Sequence, residues 1–198
     1  QAYQSALLAP LFIVLSFGWG LAVFLIVQSA MYSWEGRQLS PQVQRRMARL
    51  LGVFSAASLY LVAVYHVTNL YYARQTAFEA FVLRDGGIYP LLFWGGYVVV
   101  GSILPLILLF HPNLTSPRNT FAASGFVVAG AFAWLYVFII GGQAFPLDLF
   151  PGHEVSSSFG DGVIAAYIPS WPELLLGVGG LGAAFLLTLV GIRPFDFM

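Results

Sequence analysis

Residues 47–72 read MARLLGVFSAASLYLVAVYHVTNLYY. After Arg49 the run carries no Lys, Arg, Asp or Glu for more than twenty residues. A helix rises about 1.5 Å per residue, so about 20 apolar residues cross the roughly 30 Å hydrocarbon core of a bilayer. The apolar residues do not alternate as they would in a barrel strand. The stretch therefore reads as a membrane-crossing helix. Four more stretches read the same way, at about 7–32, 88–110, 120–142 and 171–192. The expected fold is an all-α integral membrane protein, a bundle of five transmembrane helices forming a single domain over residues 1–198.

Composition agrees. Charged residues are 8% of the chain, against about 25% in water-soluble domains, so its solvent is mostly lipid. The formal net charge is zero, which gives no bulk attraction to nucleic acid. With no Cys, the chain alone builds no disulfide, thiolate zinc site or iron–sulfur cluster. It has no Lys either, all eight basic residues being Arg. That excludes a retinal Schiff base and a lysine proton relay.

The arginines suggest an orientation. Arg37, Arg45, Arg46, Arg49, Arg118 and Arg193 fall on one side of five alternating spans, and only Arg74 and Arg84 on the other. By the positive-inside rule the C-terminus is expected in the cytoplasm and Gln1 outside. An outside start without a signal-peptide pattern predicts an odd number of preceding helices.

The loops differ in kind. In LSPQVQRRMAR, Ser40 is the expected N-cap and Pro41 the first helical residue. RQTAFEAFVLRDGG reads as a short interfacial helix ended by Gly86 and Gly87. The loop 143–170 has no Lys or Arg, carries Asp148, Glu154 and Asp161, and is long enough to suggest a functional or docking role. Small residues at four-residue spacing, Gly125, Ala129 and Ala133, predict a close helix crossing, as do Gly179 with Ala183 and Gly180 with Ala184. Pro105 inside the third span predicts a kink.

Polar side chains at membrane depth are costly and are the first place to look for function. His66 and Asn69 are three residues apart, hence on one helix face, with Tyr65 and Tyr72 nearby. Two readings stand: an aromatic belt with one interhelical hydrogen bond, or a site that handles protons. In YIPSWPE, Ser170 and Glu173 have capping-box spacing before an apolar run. Glu173 is then a helix cap, a proton acceptor at the mouth of the bundle, or both. A haem held between His66 and His111 is disfavoured, because their spans place them nearly a bilayer apart, about 30 Å; depth alone leaves His153 open.

The order of motifs carries a family resemblance. LLAPLFIVLSFGWGLAVFL is followed by LYLVAVYHVTNLYY, YPLLFWGGYVVVGSILPLILL, GGQAFPLDLFPG and YIPSWPE. It resembles the C-terminal half of NrfD-like membrane subunits, the polysulfide reductase membrane-subunit family, most closely the branch of the Dsr sulfite-reduction-associated membrane subunit. The resemblance implies the second half of a subunit of about ten helices in a bacterial or archaeal cytoplasmic membrane. It implies a haem-free chain that exchanges electrons between menaquinone or ubiquinone and a partner iron–sulfur subunit. A multihaem cytochrome and catalytic subunits often accompany that partner. In related structures the quinone pocket lies largely in an N-terminal four-helix bundle, which these 198 residues lack. Quinone-binding or proton-transfer candidates are therefore His66, Asn69 and Glu173 first, then Tyr65, Tyr72 and Tyr167; no metal site is expected. Two other classes stay open. One is a structural anchor for a redox module at the outer face, and the other is a transporter.

Overall fold

A computed structural model of the chain describes residues 3–34, 36, 40–111, 116–146 and 162–195. The described residues form helices and connections, with no strand. Helix α1 is Leu8–Trp34 and α2 is Pro41–Tyr71. A short helix α3, Thr76–Ala80, runs on as a wide π-helical turn, Phe81–Asp85. Helices α4, Ile88–Phe110, and α5, Pro117–Ala144, complete the first four spans, and α6, Trp171–Phe195, is the fifth. Each of the five is long and apolar enough to cross a bilayer. Contacts divide the chain into two compact units, Gln1–Ala165 and Ala166–Met198.

The helix starts follow local chemistry. Ser40 stands at the N-cap of α2 and Pro41 at its first position, where a missing N–H costs nothing. The Ser40 side chain makes no capping bond; its carbonyl accepts from the Gln44 N–H at 3.1 Å. With 31 residues α2 is about 46 Å long. It exceeds the hydrocarbon thickness, so its arginine-bearing first turns extend beyond the apolar run. At α5 the Ser116 hydroxyl does cap, accepting from the Asn119 N–H at 3.2 Å.

The first unit packs around two clusters. Toward the arginine-bearing end of α2 the core is small: Ala22, Leu25, Ala48, Leu51, Ala123 and Val127. Toward the other end it is aromatic, with Tyr65, Phe78, Phe81, Phe93, Tyr97 and Trp134 among its members. Lipid tails are as apolar as the core, so association rests on close packing. Trp134 stacks on Phe138 with ring centroids 4.8 Å apart.

The closest helix approach lies elsewhere than the expected stripe. Gly125 and Ala129 are exposed, whereas Ala133, the third residue of the stripe, packs against α4, where a Cβ added to Gly96 would stand 2.7 Å from the Ala133 Cβ. The crossing of α4 and α5 is made by Gly101 against Gly130, where a Cβ added to Gly101 would stand 2.5 Å from the Gly130 Cα. Gly130→Val is expected to cost about 1–3 kcal/mol by overpacking. Gly125→Val should stay within about 0.5 kcal/mol. Thermal unfolding of the two variants in detergent checks the contrast.

Before Pro105, where the kink is expected, the helix widens. Residues Leu92–Ile103 of α4 are π-helical, and the Leu104 N–H donates to the Val99 carbonyl, five residues back. Proline has no N–H and its ring crowds the carbonyl four residues earlier, and the chain before it runs in the wider register. Val137–Gly141 of α5 is π-helical as well. Wide turns of this kind are rare and cluster at functional sites. Here each sends a side chain to His66 or to a small cavity beside it: Phe93 packs edge-on against the His66 ring, and Val82, Val137 and Phe138 line the cavity.

Candidate functional site

The C-terminal third of α2 buries Val62, Tyr65, His66 and Asn69. Their spacings of three, one and three gather them on one face. Beyond Tyr71 the chain reverses. The Tyr72 N–H donates to the Asn69 carbonyl at 3.1 Å, and the Gln75 N–H to the Tyr72 carbonyl at 2.8 Å. This reversal brings α3 back against α2.

The α3 segment is more than interfacial. Phe78, Phe81 and Val82 join the aromatic core, at the three- and four-residue steps of one helical face. Glu79 goes in with them and is 0% exposed. The Trp94 indole N–H donates to the Leu83 carbonyl at 3.0 Å and ties the segment to α4. Gly86 closes it, its N–H donating to the Phe81 carbonyl at 2.8 Å. Gly87 follows at a φ of 65°, in the left-handed region that glycine adopts at low cost.

Glu79 is held at both oxygens. Its Oε2 lies 2.6 Å from His66 Nδ1, and its Oε1 accepts from the Asn69 side-chain N–H at 2.7 Å. His66 and Asn69 are themselves buried, at 8% and 2% exposure. Tyr65, 1% exposed, stands beside Asn69 within hydrogen-bonding reach. The His66 ring meets Phe93 edge-on at 4.7 Å and Tyr65 at 5.1 Å. A contact of 2.6 Å between Nδ1 and a carboxyl oxygen requires a proton between them. The imidazole donates to a carboxylate, or the carboxylic acid donates to a neutral imidazole. Sharing that proton lets the two groups offset one another, in a setting where an isolated charge costs several kcal/mol.

Beside the pair lies a cavity of about 10 Å³, lined by His66, Tyr65, Phe78, Val82, Trp134 and Val137 with Phe138. That volume admits about one water molecule. Small-molecule pockets usually run to about 300–1,000 Å³, so no quinone ring enters this one. The arrangement can hold and pass a proton; it does not enclose a quinone. Toward the arginine-bearing end, hydroxyls of Ser55, Ser58, Ser102, Thr120 and Ser124 are also buried. Ser124 donates to the Thr120 carbonyl at 2.9 Å, whereas the Ser55 hydroxyl makes no hydrogen bond.

Of the candidates read from the sequence, His66, Asn69 and Tyr65 come together. Tyr72 does not join them. It sits at the end of α2 with extended backbone, is 55% exposed, and packs edge-on against Tyr71 at 5.8 Å. It belongs to the aromatic surface. Tyr167 and Glu173 lie in the second unit. There the Glu173 carboxylate accepts from the Ser170 N–H at 2.7 Å and from the Tyr167 hydroxyl at 2.9 Å, half of the capping box read from the spacing. His153 and the acidic residues of the 147–161 segment lie outside the described residues. His111 is exposed at the end of α4.

Glutamine also serves in a capping box, so Glu173→Gln separates cap from proton carrier. Turnover of the assembled complex is expected to stay within about twofold, a change worth less than about 0.5 kcal/mol, because Glu173 accepts the Ser170 N–H as a cap does and a glutamine carbonyl accepts the same bond.

Sequence reading missed Glu79. The signal was present in TAFEAFVL, residues 76–83, where a single carboxylate shares a helical face with Phe78, Phe81 and Val82. Read locally, that pattern describes a helix lying on an interface. Only the reversal after Tyr71 turns its acidic face inward.

Residues 1–147 match the family described as polysulphide reductase, NrfD. The chain is similar to the Hdr-like menaquinol oxidoreductase integral membrane subunit of Archaeoglobus fulgidus, with 28% identity over 201 residues, covering 98% of this chain and 50% of that protein. The chain thus spans half the length of that relative. No solved structure matches it. With five membrane-crossing helices and a family match over most of its length, this integral membrane chain belongs to the NrfD polysulphide reductase family.

Proposed function

We propose that the chain is part of a haem-free, quinone-linked membrane subunit in which His66 and Glu79 relay the protons of quinol oxidation or quinone reduction. The observation that carries this reading is the buried Glu79, held by His66 and Asn69 inside the membrane part of the chain. Ionisable groups in that position are expensive, and proton relays are among their commonest uses. The similarity to a menaquinol oxidoreductase membrane subunit supports the quinone link.

Oxidising a quinol releases two electrons and two protons. The electrons pass to a partner iron–sulfur subunit of a respiratory or sulfur-metabolism complex, with a multihaem cytochrome and catalytic subunits as further members. The protons need acceptors near the quinone. The cavity beside His66 is too small for that ring, so the pair acts at one remove. A proton reaches the second ring nitrogen of His66, and the Nδ1 proton moves onto Glu79 Oε2. Asn69 fixes Oε1, so the carboxyl keeps its orientation through the transfer. The buried hydroxyls toward the arginine-bearing end offer the next steps, with waters between them. The quinone, menaquinone or ubiquinone, binds outside these residues in the assembled protein. The arginine-bearing ends face the cytoplasm of a bacterial or archaeal cell, and the C-terminus lies there too.

Quinol-to-acceptor turnover by the assembled complex in proteoliposomes tests the reading, with His66 and Glu79 variants compared at equal assembly. Loss of turnover in both supports it. Unchanged turnover in both would leave a structural anchor as the better account.

A further inference from the structure

The opposite end of α2 carries a second feature, independent of the relay. Gln42, Arg45, Arg46 and Arg49 lie at spacings of three, one and three, and line an open cavity of about 330 Å³. All three arginines are exposed, and none forms an ion pair with a described residue. None of the described residues lining the cavity is acidic. The positive-inside rule accounts for arginines at this end. It does not require three of them on one helical face around one cavity.

The continuation of this face decides the ligand. Steps of four, three and four lead from Arg49 to Val53, Ala56 and Tyr60. All three are exposed, Tyr60 to 67%. One stripe of α2 therefore passes from guanidiniums without an acidic partner among the described residues to bare apolar surface within a turn. A soluble anion would use only the first part. A purely acidic, soluble protein surface matches only the first as well. An amphiphile with an anionic head uses both.

We propose that Arg45, Arg46 and Arg49 bind the phosphate of an anionic phospholipid whose acyl chains lie along Val53, Ala56 and Tyr60. Guanidinium forks match phosphate oxygens two at a time, which gives the site a geometry beyond its charge.

Native mass spectrometry of the full-length protein in its complex tests this. The probes are phosphatidylglycerol, phosphatidylcholine with the same chains, and inorganic phosphate. Wild type is expected to retain phosphatidylglycerol over phosphatidylcholine by about tenfold or more, with inorganic phosphate unable to displace it. The R45Q/R46Q/R49Q variant should lose that preference. R45K/R46K/R49K keeps the charge and the orientation signal but lacks the forks, and should retain the lipid several-fold less well. It decides the matter if the glutamine variant fails to insert. Equal retention of the two lipids by wild type would overturn the proposal, as would wild-type retention in the lysine variant. Displacement by phosphate would overturn it in favour of a free-anion site. Lipid uptake only after a partner subunit is stripped off would overturn it in favour of a protein contact.

Discussion

Glu79→Gln is expected to lower quinol turnover by the assembled complex at least about tenfold while leaving assembly intact; positioned proton-transfer groups are typically worth about 10²–10⁴. The substitution is mild in shape. A glutamine carbonyl can still accept from Asn69, and its amide can donate to a neutral His66 Nδ1. What is lost is the capacity to take up a proton. The two oxygens of Glu79 already stand 2.7 Å and 2.6 Å from their partners, so the amide needs no new space. Glu79→Asp keeps the acid but withdraws it by one methylene, and is expected to fall between the two. Tyr72→Phe is expected to leave turnover unchanged, since that side chain faces outward.

The second large effect concerns stability. His66→Leu leaves the Glu79 carboxyl buried without its main partner, and breaking such a pair typically costs about 3–5 kcal/mol. The double variant His66→Leu with Glu79→Leu removes both polar groups and fills similar volume in an aromatic surrounding. It is expected to recover most of that loss, because apolar replacements of buried pairs are often neutral or stabilising. A double-mutant cycle by unfolding in detergent measures the coupling. The same double variant is expected to stay inactive in turnover. A protein restored in stability yet dead in activity separates the relay from a packing role. If the double variant is no more stable than His66→Leu, the pair is not self-compensating and the proton-sharing geometry is wrong.

The fold was legible where chemistry is local. Five runs of about twenty apolar residues mark five crossings, since nothing else in a sequence looks like that. The start of α2 was legible from Ser40 and Pro41 and not from hydropathy. Hydropathy placed its span at about 47, whereas the helix begins at Pro41, because a helix can continue into polar surroundings that a hydropathy window does not register. The π-helical segments left no trace, their composition being that of ordinary membrane helix. Gly130 was passed over because a four-residue rule finds stripes, whereas the neighbouring helix selects which glycine is used.

At the site, His66, Asn69 and Tyr65 were legible from helical spacing alone. Tyr72 obeys the same spacing, but α2 ends at Tyr71 and the face ends with it. Glu79 required knowledge of a tertiary turn. A carboxylate on a loop reads as solvated until the loop folds inward, and the Gln75-to-Tyr72 bond that turns it carries no sequence signature. Glu173 was legible as a cap and accepts the Ser170 N–H as one, with the Tyr167 hydroxyl as a second donor.

Redox-difference infrared spectroscopy of the assembled complex reads the relay at Glu79 itself, by comparing the quinol-reduced and oxidised states. A proton arriving on Glu79 converts a carboxylate to a carboxylic acid and adds a protonated-carboxyl C=O band. The relay requires such a band in wild type, its absence in Glu79→Gln and its displacement in Asn69→Ala. A wild-type spectrum without the band, or a band that persists unchanged in Glu79→Gln, would show that Glu79 carries no proton.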